Sequence, residues 1–161
     1  MRRRTILMGS ALAAAGLALM TGPAGAQQPA DIDAVKAANT AFYVALSARD
    51  AKAMAGLWAD KPYVINIGPR SKSIETGYAD AVTKYWENAF TNIFVELSAS
   101  MTSIAEVQTD GKVGWVIGTE HAAGKIKSGE SVAFDTFTTN IFEKDGDRWL
   151  LVSHHAGIQP K

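Results

Sequence analysis

The chain contains no cysteine, and that absence removes several chemistries at once. Disulfides cannot staple it, thiolates cannot hold zinc, and no cysteine nucleophile is available. Histidine is scarce as well: there are three in 161 residues, with no HxH or HExxH spacing, so no metal site is expected. GxGxxG, Walker A and GxSxG patterns are missing, and the glycine-rich stretches read as turns. Basic residues do not outnumber acidic ones, 16 against 16, which leaves no patch to hold nucleic acid. No repeat, linker or low-complexity tract divides the chain. Its length and its 47% apolar content suit one ordinary globular domain that is stabilised by core packing.

Residues 1–26 read as an export leader that is cleaved. MRRR is a charged start, ILMGSALAAAGLALM an apolar stretch, and Ala24-Gly25-Ala26 a small-x-small cleavage site before Gln27. The uninterrupted apolar run is shorter than the roughly 18–20 residues of a spanning helix, which disfavours an uncleaved anchor. Arg3-Arg4-Thr5-Ile6-Leu7 also resembles the twin-arginine export signal, although an ordinary secretory leader fits the same residues. The expected mature domain is 27–161, periplasmic or secreted, with no membrane attachment. Without Arg2, Arg3 and Arg4 it keeps 13 basic against 16 acidic residues, a net charge of −3.

Within the mature chain, Ala30–Arg49 places Ile32, Val35, Ala38, Phe42 and Leu46 at helical spacing, with Asp31 as the expected N-cap. Asp50 is expected to cap a second short helix reaching Trp58. Tyr63–Ile67 reads as a strand between Pro62 and Gly68-Pro69, and Gly77–Phe90 as a helix. Phe94–Val107, Lys112–Ala123, Ser131–Lys144 and Arg148–Ala156 then read as strands, separated by turn signals at Asp110-Gly111, Lys127-Ser128-Gly129 and Asp145-Gly146-Asp147. Helices followed by a meander predict an α+β fold, with the helices packed on one face of a mostly antiparallel sheet.

Strand alternation groups Trp115, Ile117, Thr119 and His121 on one face. In the last strand it sets Leu150, Val152 and His154 opposite His155. His154 and His155 therefore point to opposite sides of the sheet and cannot share one metal ion or one proton.

The segment TTNIFEKDGDRWLLVSHHAG, Thr138–Gly157, resembles the closing hairpin of the SnoaL-like family, part of the nuclear-transport-factor-2-like superfamily with its cystatin-like α+β cone. Trp149, Val152 and His155 match, while Gly157 stands where the family often has serine. ALSARDAKAMAGLWAD and GYADAVTKYWENAF resemble the family's helices, and the likeness runs over nearly all of 27–161. The resemblance implies helices wrapped by a strongly curved sheet around an apolar pocket, and a homodimer formed through the outside of the sheet. The family includes ketosteroid isomerase, cyclases, dehydratases and pure binding or assembly modules.

That isomerase needs an aspartate base and an oxyanion hole built from a tyrosine and a protonated acid. Here Asn66 stands at the base position, and an amide cannot take a proton. The tyrosine position falls on Phe42, with Tyr43 one residue off the face, and the acid falls near Thr138 or Thr139. Ketosteroid isomerisation is accordingly not expected. The same correspondence implies a pocket lined by Phe42, Trp58, Asn66, Trp86, Phe90, Trp115, Ile117, Thr119, Leu150 and Val152. His121 and His154 are the candidate acid–base groups, with Tyr63, Tyr78, Tyr85 and Asp135 as candidate partners. The expectation is an exported domain that binds a small apolar or aromatic ligand without a cofactor. The alternatives are an isomerase, lyase or cyclase using a pocket histidine, and a dimeric scaffold module.

Overall fold

In the computed structural model, residues 29–160 are described, so the leader lies outside the described residues. Helix α1 (Pro29–Ala48) starts on a proline, whose fixed φ and missing N–H suit a first turn. Asp31 is not its cap: it lies in the first turn and accepts a 2.6 Å bond from Lys144 Nζ. The buried stripe is Val35, Asn39, Phe42, Tyr43 and Leu46, a 3–4 spacing that points one face of α1 at the sheet. Arg49, at φ 53°, ends the helix in the left-handed region. Asp50 then caps α2 (Ala51–Ala55), its Oδ1 accepting from the Ala53 N–H at 2.9 Å.

Strand β1 (Ile65–Ile67) follows, then the short β2 (Glu75–Thr76), which the sequence pattern did not suggest. Residues 78–93 form one helix of changing pitch, wound as π over Tyr78–Lys84, as α over Tyr85–Asn88 and as π again over Ala89–Ile93. Wide π turns are uncommon and gather near functional sites. This helix brings Tyr85, Trp86 and Ala89 to the interior.

Four long strands complete the chain: β3 (Phe94–Thr109), β4 (Val113–Ile126), β5 (Ser131–Asp145) and β6 (Arg148–Ile158). The sheet order is β2-β1-β6-β5-β4-β3, with β1 parallel to β6 and every other pair antiparallel. The expected α+β fold, helices on a strongly curved sheet, is what the chain adopts.

The curvature has identifiable causes. The β3–β4 ladder shifts register at Phe94/Glu96, Met101/Ser103 and Ile104/Glu106, and such bulges bend a strand. Glycines let β3 fold over the concave side: a Cβ at Gly118 would lie 2.0 Å from the Ser103 carbonyl oxygen, and one at Gly124 2.3 Å from that of Glu96. Helix α1 is fastened inside the curl. Ser47 Oγ bonds both the N–H and the carbonyl of Ala99 at 2.9 and 3.1 Å, and Arg49 donates to the Phe94 carbonyl at 2.9 Å.

Register decides which side chains face α1. Gly114, Val116, Gly118, Glu120 and Ala122 of β4 pair with Phe142, Asn140, Thr138, Thr136 and Phe134 of β5, and this set forms the concave face. Trp115, Ile117, Thr119 and His121 lie on the convex face, which reverses the assignment expected from the sequence. The physical reason is room: the inside of a tight curl takes small residues, so the bulkier face of β4 turns outward.

In β6 a bulge at Val152 breaks simple alternation, since Phe142 pairs with Leu151 while Ile141 pairs with Ser153. Leu151 therefore faces inward on one side of the bulge and His154 on the other. Leu150 and Val152 are core residues beside it.

Candidate active site

Between α1, the 78–93 helix and the concave face of the sheet lies a cavity of about 450 Å³. Its walls are mostly apolar, contributed by Trp86, Ala89, Leu97, Ile126, Val132 and Phe134. Tyr85 completes them, and two polar side chains, Glu120 and His154, reach the cavity from the sheet. Each is only 3% exposed, so both sit deep. This is the usual composition of a small-molecule site, an apolar concavity with a few fixed polar groups.

Glu120 owes its partner to α1. Tyr43 donates its phenolic O–H to Glu120 Oε2 at 2.9 Å, so Tyr43 faces the interior rather than standing off it. Burial pushes the Glu120 carboxyl above the usual carboxylate range, opposed by the hydrogen bonds it accepts from Tyr43 and Thr138. Burial, and then the Glu120 charge, push the Tyr43 phenol up as well.

His154 belongs to a second chain of bonds. Asn140 donates through Nδ2 to Asn39 Oδ1 at 2.7 Å, which leaves its Oδ1 for His154 Nδ1, also at 2.7 Å. An amide oxygen only accepts, so Nδ1 carries the proton and Nε2 presents a lone pair. Burial first, then the neighbouring charge of His155, drive the imidazole pKa down to about 3. Phe42 packs on the ring with a centroid separation of 4.9 Å. At neutral pH the floor of the cavity thus holds a neutral imidazole and a carboxyl that resists ionisation.

Of the residues expected in the pocket, Trp86 and His154 line the cavity. Phe42 and Phe90 lie behind Trp86, with ring centroids 5.8 and 5.5 Å from it. Trp58 is buried beside Leu151, and Asn66 is buried with its Nδ2 bonded to the Ala81 carbonyl at 3.1 Å. Leu150 and Val152 pack in the core. Trp115, Ile117 and Thr119 stand outside, as does His121, whose Nδ1 meets Asp135 Oδ1 at 2.8 Å on the convex face. Among the named partners, Tyr63 bonds Glu143 on the surface and Tyr78 bonds the Ala55 carbonyl, while Tyr85 reaches the cavity.

Sequence reasoning missed Tyr43, Glu120, Asn39 and Asn140. One signal was present: Glu120 is the sole charged residue on a β4 face otherwise built of glycine, valine, alanine and isoleucine. The covering of that face by α1 was not visible.

A family model for the SnoaL-like domain matches residues 35–159. The chain belongs to the SnoaL-like family. Its fold is that of the nuclear-transport-factor-2-like superfamily. The chain is similar to a protein of that superfamily from Streptomyces avermitilis to which a dehydratase activity has been ascribed. The two are 25% identical with a TM-score of 0.72, over 83% of this chain and 100% of the other. A Novosphingobium aromaticivorans protein to which an aromatic ring hydroxylase activity has been ascribed shares the fold at 14% identity and a TM-score of 0.73, over 84% and 94%. So does a hexachlorocyclohexane dehydrochlorinase, at 13% identity and a TM-score of 0.68, over 81% and 86%. No curated protein matches the sequence significantly.

Proposed function

We propose that this SnoaL-like protein binds one small, largely apolar or aromatic molecule in the cavity beneath α1. The observation that carries the reading is the pairing of apolar walls with a deep polar floor, Glu120 and His154, each oriented by a buried partner. Such a floor recognises a hydroxyl or carbonyl: His154 Nε2 accepts, and the Glu120 carboxyl accepts when ionised and donates when protonated. Native mass spectrometry of the protein purified from its own cell envelope, followed by denaturing extraction, tests this. A bound small molecule is expected, and Val132→Trp, which fills the cavity from a half-buried wall position, should exclude it. A folded protein that carries nothing and takes up no apolar aromatic probe rules the reading out.

A second reading has its own support. Glu120 and His154 are titratable groups on one cavity wall, each shifted toward its uncharged form, the arrangement acid–base catalysis uses. An isomerase, lyase or cyclase needs no more than such a pair to move one proton, and dehydration and dehydrochlorination, ascribed to similar folds, are eliminations. If the extracted molecule is turned over, His154→Gln, whose amide reaches the Nε2 position and can still accept from the ligand, should abolish turnover while binding persists.

Two further proposals concern context. Export to the periplasm or beyond is supported by the leader pattern, and intact-mass analysis of the secreted fraction should find Gln27 as the first residue. Homodimerisation through the convex face is supported by exposed Ile117 and Phe137 on it. Sedimentation should give a dimer that Phe137→Lys dissociates.

A further inference from the structure

Arg70 is the cation among the side chains that line the cavity in the described residues, and it has no part in the floor. It is exposed, at the rim, whereas Glu120 and His154 are deep. No carboxylate forms an ion pair with its guanidinium among the described residues. Its backbone is held firmly. Gly68-Pro69-Arg70-Ser71 is a tight turn, closed by the Ser71 N–H donating to the Gly68 carbonyl at 3.0 Å and by the Gly68 N–H donating to Ser71 Oγ at 2.8 Å. Pro69 takes the turn position that its fixed φ suits. The turn is pressed onto the cavity wall: a Cβ at Gly68 would lie 2.5 Å from the Tyr85 hydroxyl, so only glycine allows this approach.

From this placement we infer that the ligand is an organic anion, with an apolar or aromatic body in the cavity and a carboxylate or similar group at the rim against Arg70. The inference rests on the binding reading given above and adds the charge and orientation of the occupant. The deep end offers the anion no partner charge, because Glu120 carries no positive charge in either protonation state and His154 is neutral. The rim can, because the Arg70 guanidinium is a cation that presents several donors in a fork matching a carboxylate. Orientation then follows: the body enters first, the anion stays near solvent, and any polar group on the far end meets the floor.

The test compares 2-naphthoate with the uncharged 2-naphthamide, which has nearly the same shape, by isothermal titration calorimetry at neutral pH and low salt. Wild-type protein should bind the acid about five-fold or more tightly than the amide, as a rim charge pair provides. Arg70→Gln should bring the ratio close to one by weakening the acid more than the amide, and added salt should do the same to the wild type. Equal binding of the two probes, or a preference for the acid that survives Arg70→Gln, overturns the inference and leaves the binding reading standing. If neither probe binds the folded protein, the binding reading falls and takes this inference with it.

Discussion

Tyr43 on α1 and Glu120 on β4 are 77 positions apart in sequence, and their oxygens meet at 2.9 Å inside the cone. The bond fastens the helix to the sheet at the depth where the cavity ends. It also ties stability to the site, because whatever disturbs the cavity floor disturbs the packing of α1.

Tyr43→Phe should therefore cost about 1–3 kcal/mol in urea unfolding, since it strands a buried carboxyl. It should also raise the Glu120 pKa further, because the lost bond favoured the ionised form. Carbonyl-stretch infrared difference spectra against Glu120→Gln give that pKa directly.

The folded-state pKa of Glu120 lies above the ordinary value of 4.5, so the folded protein holds this proton more tightly than the unfolded chain. Its contribution is fully present below pH 4.5 and is lost as pH rises through the folded pKa. Glu120→Gln should flatten that decline in thermal or urea titrations.

His154 acts in the opposite direction. Its pKa falls from 6.5 to about 3 on folding, so its contribution is present above pH 6.5 and is lost as the unfolded chain takes up the proton below it. The loss approaches about 1.4 kcal/mol for each pH unit between 6.5 and 3. His154→Gln should remove most of this acid limb, and imidazole NMR shifts at pH 5 should still show His154 neutral with Nδ1 protonated.

Gly118→Ala and Gly157→Ala separate close approach from open space. The first sets a Cβ 2.0 Å from the Ser103 carbonyl oxygen and should destabilise by about 3 kcal/mol or more, because only backbone movement relieves it. The second meets nothing within 4 Å and should change stability by less than about 1 kcal/mol. Comparable losses at both sites would contradict the account of sheet curvature.

His121→Ala should leave ligand binding at the cavity unaltered and change stability by less than about 1 kcal/mol, since its pair with Asp135 is solvent-exposed. His154→Ala should weaken binding at least ten-fold. The contrast distinguishes the concave face from the convex one in solution.

Much of the architecture was legible in local pattern. The apolar spacing of α1, the cap at Asp50, the glycine-containing turns and the β-branched runs of β3 to β6 follow from interactions within a few residues, and so do their approximate ends. The opposite directions of His154 and His155 follow from the two-residue period alone. The choice between the two faces of β4 was another matter. Both carry apolar residues, and hydrophobicity favoured the face with Trp115 and Ile117. Only the curl of β3 over Gly118 and Gly124, and the landing of α1 on Glu120, made the small-residue face the inner one. The bulge at Val152 likewise arises from pairing with β5, so no inspection of β6 in isolation reveals it. Local sequence specifies the elements because their energetics are local. The cavity and its polar floor are set by contacts 77 and 101 residues apart, which exist only once the sheet has closed around the helix.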